Sequence, residues 1–183
     1  MPYNLPTVTT SNISLGPGTI AIGPSGSTPV SDVGTIGDDG VTLEITSEKA
    51  DVRAGNPPLI VHSMNKAQDV KISWQGVEWN NRLLQYSLGA GVTLESASLH
   101  TFTFGGTPIV TTVAIQVVHQ MAAGQTYTTR IWKARGDGSV QIKLGNDPHQ
   151  FPSSYMAMQS STNWAGASLL ATDQLIQTVR NIT

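Results

Sequence analysis

The sequence predicts a mainly β protein: a β-sandwich or barrel with one short flanking α-helix and a long arm between two strands. Several segments alternate apolar and polar residues with the period of two that a half-buried strand requires. The chain also contains 18 glycines and 10 prolines, which is typical of strands joined by turns. One segment, residues 79–88, shows helical spacing instead. These observations predict the fold class.

The 183 residues are most simply one domain, long enough to bury a substantial core. The first strand is predicted at Thr19–Gly23, between glycine–proline breaks. We expect the terminal segments 1–15 and 162–183 to be extended arms. The second of these partly follows helical spacing, so a short helix, an arm on a partner subunit and a segment covering its own core all stay open.

Two alternating strands follow, at Val41–Glu48 and Asp69–Gln75. Their apolar residues are Val41, Leu43, Ile45, Val70, Ile72 and Trp74. If these all face one core, the intervening polar residues share one water-facing surface. The residues assigned to that surface are Glu44, Glu48, Asp69, Lys71, Ser73 and Gln75. With three carboxylates against one ammonium group, the surface is predicted to be mildly acidic.

The connection between these strands, residues 52–65, is longer than most loops in compact domains. Its turn residues are followed by the apolar run Leu59, Ile60 and Val61. An exposed arm with an apolar middle needs a surface to lie on, and we expect a neighbouring copy of the chain to supply it. The residues assigned to this inter-subunit arm are Glu48, Lys49, Asp51, Arg53, Asn56, Pro57, Leu59 and Ile60.

The helix is predicted from the spacing of Trp79, Leu83, Leu84 and Leu88, with Gly89 as its C-terminal cap. Strands are predicted next at Leu99–Phe104 and Ile109–Val118, with a turn at Met121–Gln125. A strand at Tyr127–Arg135 is predicted to pair with Val140–Leu144 across an Asp-Gly turn. The last core strand is predicted at Phe151–Met158.

The sequence contains little that points to chemistry. The four histidines, His62, His100, His119 and His149, are scattered without metal-ligand spacing. Asp38 and Asp39 lie in a glycine-rich turn, and no calcium-loop pattern surrounds them. Neither a phosphate-binding loop nor a nucleophile elbow occurs. We therefore expect no enzymatic activity, no metal and no cofactor.

Composition narrows the class of partner. The formal net charge of −2 argues against a protein that grips nucleic acid through its phosphates. Cysteine is absent, which is compatible with assembly in a reducing cytoplasm. We expect no membrane association, since no apolar stretch is long enough to span a bilayer and the N-terminus lacks the features of a signal peptide.

The residues of the arm and its flanks resemble the tail tube proteins of long-tailed bacteriophages. The resemblance is carried by S-E-K-A-D-V-R-A-G-N-P-P, A-Q-D-V-K-I and G-V-E-W-N. It extends to the opening L-G-P-G-T-I-A-I-G-P-S-G and to F-P-S-S-Y-M-A-M near the C-terminus. Most of the chain is therefore covered.

The resemblance implies a structural virion protein without enzymatic activity, assembled in the host bacterial cytoplasm. In that family, subunits form hexameric rings that stack into a hollow tube, and strands from all six line the DNA channel. Carried over, the lumen-lining residues here are Glu44, Glu48, Asp69, Lys71, Ser73 and Gln75. DNA passes such a weakly acidic wall without specific binding. The further partners implied are other tail proteins at the tube ends and, if the tail is contractile, a sheath around the tube.

The alternative is a monomeric β-sandwich binding module, similar to a carbohydrate-binding or adhesin domain. Trp74, Trp79 and Trp132 are predicted to pack in the core. Trp164 lies in a polar segment, so we expect it to be an exposed anchor between subunits or between successive rings. In the alternative, Trp164 forms a surface platform with His149 and Tyr155.

Overall fold

The computed structural model of the chain describes residues 14–106, 110–121, 124–142 and 150–181. Its strands are β1 (Ser14–Pro24), β2 (Ser31–Asp32), β3 (Ile36–Ala54), β4 (Leu59–Gly76), β5 (Val92–Glu95), β6 (His100–Thr103), β7 (Thr112–Met121), β8 (Thr126–Gly136), β9 (Phe151–Ala157) and β10 (Gln177–Asn181). The helix α1 spans Asn81–Leu88, and a short 3-10 helix spans Ala171–Asp173. The predicted mainly β fold class is confirmed.

Eight strands form one antiparallel sheet, seven of them in the order β2-β1-β7-β8-β9-β4-β3. The eighth strand, β10, pairs with the first half of β8, while β9 pairs with the end of β8. The hairpin β5-β6 forms a separate two-stranded sheet beside the helix. Long-range pairing therefore organises much of the chain.

The large sheet curls around a single core. Ile20 and Ile22 of β1 belong to the same buried cluster as Ile72 and Trp74 of β4, near the opposite end of the sheet. At one side of this core, β1 and β3 come into contact. The helix covers another part of the core with its apolar stripe, which includes Leu83. Burial on one face of each element thus holds the sheet and helix together.

The helix ends where its sequence predicts, but it begins at Asn81 rather than at Trp79. The Asn80 side chain accepts hydrogen bonds from the backbone N–H groups of Arg82 and Leu83, so it caps the N-terminus. Gly89 ends the helix at φ 64°, a left-handed conformation that glycine adopts without strain. Trp79 lies outside the helix and is 59% exposed, so its predicted core position is wrong. Its ring packs edge-on against Phe151.

The predicted pairing of Tyr127–Arg135 with Val140–Leu144 is wrong. The strand β8 pairs instead with β9, through Ala134↔Ala157 and Gly136↔Tyr155. Residues 140–142 belong to no strand, and 143–149 lie outside the described residues. The chain bends at Gly138, but the strand that returns beside β8 begins only at Phe151.

Other strand predictions differ in their bounds. The strand β1 is longer than Thr19–Gly23, and the strand predicted at Ile109–Val118 lies at Thr112–Met121. The strand β6 agrees with the prediction for Leu99–Phe104, whereas its partner β5 was not predicted. Of the predicted N-terminal arm, residues 1–13 lie outside the described part, and Ser14 already begins β1.

The C-terminal segment is part of its own sheet. After β9, the backbone N–H of Ser160 donates to the carbonyl of Gln174, and Trp132 Nε1 donates to the carbonyl of Asp173. The strand β10 then pairs with β8 from Gln177↔Arg130 to Asn181↔Thr126. Of the open alternatives for this segment, the one in which it covers its own domain is therefore right through Asn181. The segment includes the short 3-10 helix Ala171–Asp173, and a contact of its exposed residues with a partner subunit stays a prediction.

Candidate functional site

The connection between β3 and β4 is a paired hairpin. The two strands run together from Val41↔Trp74 to Ala54↔Leu59, and only residues 55–58 form a turn. The expectation of a long unpaired loop at 52–65 is therefore wrong. Gly55 stands at φ 95° and the Asn56–Pro57 peptide bond is cis. Backbone pairing along the full length makes the arm an ordered β-ribbon.

The outer part of this hairpin stands away from the domain. Every residue from 51 to 66 is exposed, on both strands. From Leu43 to Ala54 an extended strand spans roughly 35 Å at about 3.3 Å per residue. We call this projecting ribbon, residues 44–69, the arm. It contains all eight residues predicted to form an inter-subunit arm.

The end of the arm is apolar. Five large apolar side chains there are each about half exposed or more: Val52, Leu59, Ile60, Val61 and Met64. We call these five residues the arm tip. Exposed apolar residues that occur singly need no explanation, but several at the end of one ribbon mark an interaction surface. The register places Val52, Leu59 and Met64 on one face of the ribbon and Ile60 on the other. Their exposed fractions run from 47% at Val52 to 67% at Leu59.

Two register irregularities lie within the arm. One falls between the pairs Glu48↔Ala67 and Lys49↔Asn65, so Lys66 is an extra residue on β4. The other falls between Val52↔His62 and Arg53↔Ile60. Bulges of this kind bend a ribbon and increase its twist. Bulges also hinder the pairing of other strands with the exposed edges of a ribbon. They therefore reduce the tendency of the arm to aggregate through its edges.

The predicted lumen-lining residues lie on one side of the sheet. The register pairs Glu44 with Lys71 and Ser73 with Thr42, which places their side chains on a common face. That face continues across β9 and β8, because Lys71 pairs with Met156 and Met156 pairs with Arg135. We call it the polar sheet face. Its members from the prediction are Glu44, Glu48, Asp69, Lys71, Ser73 and Gln75.

The opposite side of the same strands carries most of the predicted core residues. Val70, Ile72 and Trp74 are buried, and Leu43 packs partly buried against them. Ile45, predicted to be in the core, is 61% exposed. The reason is geometric: at Ile45 the ribbon has already left the domain, so no second layer covers it.

Two ion pairs organise the charges of the polar sheet face. Lys71 Nζ lies 2.8 Å from Asp137 Oδ2, and Lys66 Nζ lies 2.9 Å from Glu48 Oε1. The hydrogen bond and the negative charge of Asp137 raise the pKa of Lys71. The hydrogen bond from Lys71 in turn lowers the pKa of Asp137, and a hydrogen bond from Ser154 lowers it further.

Two further carboxylates of the polar sheet face, Glu44 and Asp69, form no ion pair with the residues that the structure describes, although the charge of Glu44 helps to raise the pKa of Lys71. Within the described part of the chain, neither carboxylate makes a hydrogen bond. Both are exposed. The surface is therefore mixed in charge, with these two carboxylates close to the base of the arm.

The predicted aromatic sites lie elsewhere than expected. Trp164 is half-buried, and its ring packs edge-on against Trp132 with centroids 4.8 Å apart. Tyr155 is fully buried, stacked on Trp74 and hydrogen-bonded to Ser87. The surface platform of the alternative hypothesis is therefore wrong as to Tyr155, and His149 lies outside the described residues.

Sequence reasoning missed Asp137 and Arg135 on the polar sheet face. Arg135 lies at the end of β8 and Asp137 directly follows that strand, and they reach this face only because β9 inserts between β8 and β4. A correct pairing of the Asp-Gly turn with β9 is the signal that would have placed them. No local pattern links residue 137 to residue 71, which lies 66 positions earlier.

Comparisons with known proteins identify no relative of this chain. No model of a known protein family matches the chain, and no curated protein matches it either.

The described residues were also searched for a metal site and a membrane span. Among them, no three His, Cys, Asp or Glu side chains are grouped so that they could hold a metal ion. No helix within the described ranges is long and apolar enough to cross a membrane.

Proposed function

We propose that this chain is a structural virion protein, a subunit that assembles into stacked hexameric rings forming the hollow tail tube of a long-tailed bacteriophage. The observation that carries the proposal is the arm, an ordered β-ribbon whose residues 51–66 are all exposed and whose tip is apolar. Leaving five large apolar side chains in water is unfavourable, and burying them against another copy recovers that free energy.

The position of the arm tip favours an extensible assembly. The tip lies roughly 35 Å along the ribbon from the core-packed residue Leu43, far from the surface from which the arm leaves. A contact between the tip of one copy and a different surface of the next copy is heterologous. Such contacts close into rings or continue as filaments, depending on the rotation between copies. A stack of rings needs contacts of this kind.

The polar sheet face fits the wall of a DNA channel. Its Lys71 is held by Asp137, and the carboxylates of Glu44 and Asp69 are exposed. Arg135 adds one exposed guanidinium group to the face. A wall of this charge offers few cations to phosphates, so little counterion release accompanies contact with DNA. DNA can then move along the wall without being held, and the virion is the proposed location of the chain.

Shortening the arm tests the proposal. Lys49 and Asn65 are register partners, so joining them by an Asn-Gly turn removes residues 50–64 while keeping a paired hairpin. We expect this variant to keep the far-ultraviolet circular dichroism of a β protein and to stay monomeric in sedimentation velocity. The matched control is Leu94→Ser, which removes an exposed apolar side chain of β5 and leaves the arm intact. Unchanged assembly by the shortened variant contradicts the proposal.

A further inference from the structure

The domain contains a cleft with largely apolar walls, and the arm tip is also apolar. The volume of the cleft is about 620 Å³, and it lies between β3 and the strands β1, β7 and β8. Its apolar walls are formed by Ile36, Val41, Leu43, Ile72 and Val117. Four of these, all except Ile72, are only partly buried, because the cleft leaves one side of each uncovered. Pockets of roughly 300–1,000 Å³ are the size that buries a compact apolar group.

A polar group in the cleft also lacks a partner. His119 lines the wall, and its Nε2 atom is buried without a hydrogen bond in the described structure. Buried nitrogen atoms of this kind are normally paired, and leaving one unpaired is costly. An occupant with a backbone or side-chain polar group beside its apolar side chains would satisfy both features of the cleft.

We propose that the occupant of this cleft is the arm tip of a second copy of this chain. The proposal deepens the proposed function and rests on it, because it identifies the surface that receives the arm. The chain cannot fill its own cleft while the arm stays paired: Leu43 lines the cleft, and Ala54 at the far end of β3 lies roughly 35 Å away. The contact must therefore join different copies.

Charge complementarity supports this occupant. Arg53 is the register partner of Ile60, so the guanidinium group projects from the same face of the arm as Ile60. The opposite face carries Val52, Leu59 and Met64. Lys49, Asp51 and Arg53 give the face with Ile60 a net charge of +1. Asp38 lines the cleft, with Asp39 next to it in the chain. An Arg53–Asp38 pair across the contact would orient the arm as Ile60 enters the cleft.

Charge reversal tests the Arg53–Asp38 contact, by comparing two single variants with their mixture. Arg53→Glu alone places a glutamate against Asp38, and Asp38→Arg alone places two arginines together, so we expect each purified variant to lose assembly. A 1:1 mixture offers opposite charges at every contact between the two variants. The reversed arm of the first variant meets the reversed cleft of the second, and the unchanged Arg53 of the second meets the unchanged Asp38 of the first.

We therefore expect assembly only in the mixture. Sedimentation velocity of each variant alone and of the 1:1 mixture measures it, and far-ultraviolet circular dichroism is the folding control. Assembly by either purified variant alone, to the extent seen for the native chain, contradicts the Arg53–Asp38 contact.

Cross-linking gives a second, independent readout. The chain has no cysteine, so engineered thiols have no background. Mixed under mild oxidation, the single variants Ile60→Cys and Val117→Cys should form a disulfide-linked species of twice the 19.4 kDa chain mass on a non-reducing gel. The comparison pair is Leu94→Cys with Val117→Cys, which places the thiol on the other exposed apolar hairpin.

The outcomes separate this proposal from the proposed function. Cross-linking of Ile60→Cys but not Leu94→Cys supports the arm as the occupant, whether or not tubes form. Preferential cross-linking of Leu94→Cys, or of neither variant, overturns the proposal and assigns the cleft to another ligand. If the native chain forms tubes while both charge reversals assemble unaided, the cleft contact is also overturned and the tube assignment stands.

Discussion

Lys71 and Asp137 are joined by an ion pair that ties β4 to the turn after β8. Lys71 Nζ lies 2.8 Å from Asp137 Oδ2, and Ser154 Oγ donates to the same oxygen at 2.8 Å. Ser154 lies on β9, between the two strands that carry the charged residues. One carboxylate thus connects three strands of the polar sheet face, at the point where β9 inserts into the sheet.

This pairing predicts an acid-dependent contribution to stability. The hydrogen bonds from Lys71 and Ser154 lower the pKa of Asp137 from its usual 3.8. A carboxyl group whose pKa is lower in the folded state stabilises the fold above its unfolded pKa, and that stability is lost as the pH falls through the folded pKa. We expect Asp137→Asn to be less stable than the native chain at pH 7, with the difference shrinking as the pH falls below 3.8.

Urea unfolding at several pH values measures this effect. The matched control is Asp69→Asn, since Asp69 is an exposed carboxylate of the same face with no ion pair among the described residues. The unfolding free energy of this control should differ little from that of the native chain at every pH. The effect should be modest because both members of the Lys71–Asp137 pair are partly exposed. An Asp137→Asn difference independent of pH contradicts the assigned pairing.

Gly136 is predicted to be intolerant of any side chain. A Cβ atom there would overlap the backbone carbonyl oxygens of Tyr86 and Ser87 at the end of the helix. Neither carbonyl can move without shifting α1 from the sheet, so Gly136→Ala should destabilise the domain by about 1–3 kcal/mol or more, as overpacking a rigid site does. Gly76→Ala is the control, because its Cβ would meet only Phe151 O at 3.9 Å. Similar melting temperatures for the two variants would disprove this close packing.

The side-chain oxygen of Asn80 is predicted to stabilise the N-terminus of the helix. Asn80 Oδ1 accepts from the backbone N–H groups of Arg82 at 2.9 Å and Leu83 at 3.2 Å. Asn80→Ala leaves these donors without a side-chain partner and should cost about 1 kcal/mol in unfolding free energy. Asn80→Asp keeps an oxygen acceptor at the same place, so it should restore most of the loss in the same denaturant titration.

The hydroxyl group of Tyr155 is predicted to contribute less than its ring. The side chain is fully buried, stacks on Trp74 with centroids 5.1 Å apart and hydrogen-bonds Ser87 Oγ at 2.8 Å. Tyr155→Phe should cost about 1 kcal/mol, because Ser87 keeps Ser153 as a partner. Tyr155→Ala should cost about 3–5 kcal/mol through cavity formation. Equal losses in calorimetry would show that the ring packing is misassigned.

The exposed carboxylates of the polar sheet face predict how assembled tubes treat DNA. Glu44→Lys with Asp69→Lys changes the charge of the face by four units per subunit, since each substitution exchanges a negative for a positive charge. Tubes of this variant should retain DNA in co-sedimentation at low salt and release it as NaCl rises. Tubes with Glu44→Gln and Asp69→Asn should not retain DNA. This control distinguishes the effect of adding positive charges from the effect of removing negative ones. DNA retention by native tubes is the contrary result.

The sequence predicted the local features of this fold well. Alternation located β3, β4 and the polar sheet face, because one buried side leaves a period of two in the sequence. Helical spacing and the Gly89 cap located α1. These patterns depend only on residues that are close together in the sequence. The arm was predicted as a long polar element with an apolar middle, but its pairing to Ala54 and Leu59 was missed because turn residues indicated a loop.

The long-range pairings could not be predicted in the same way. The partner of β8 is β9 rather than 140–144, and β10 returns to β8 from more than 40 residues downstream. Such choices depend on which distant strand buries the better face, which no local pattern records. The cleft is missed for the same reason, since Leu43 and Val117 meet there only after the sheet has curled.

The central claim is that this chain assembles through its arm into a tube. Negative-stain electron microscopy of the purified native chain at high concentration, beside the variant with residues 50–64 removed, tests it most directly. We predict rings or hollow filaments of uniform width from the native chain and small dispersed particles from the arm-shortened variant. Dispersed particles from both chains at every concentration, or identical filaments from both, would contradict the claim.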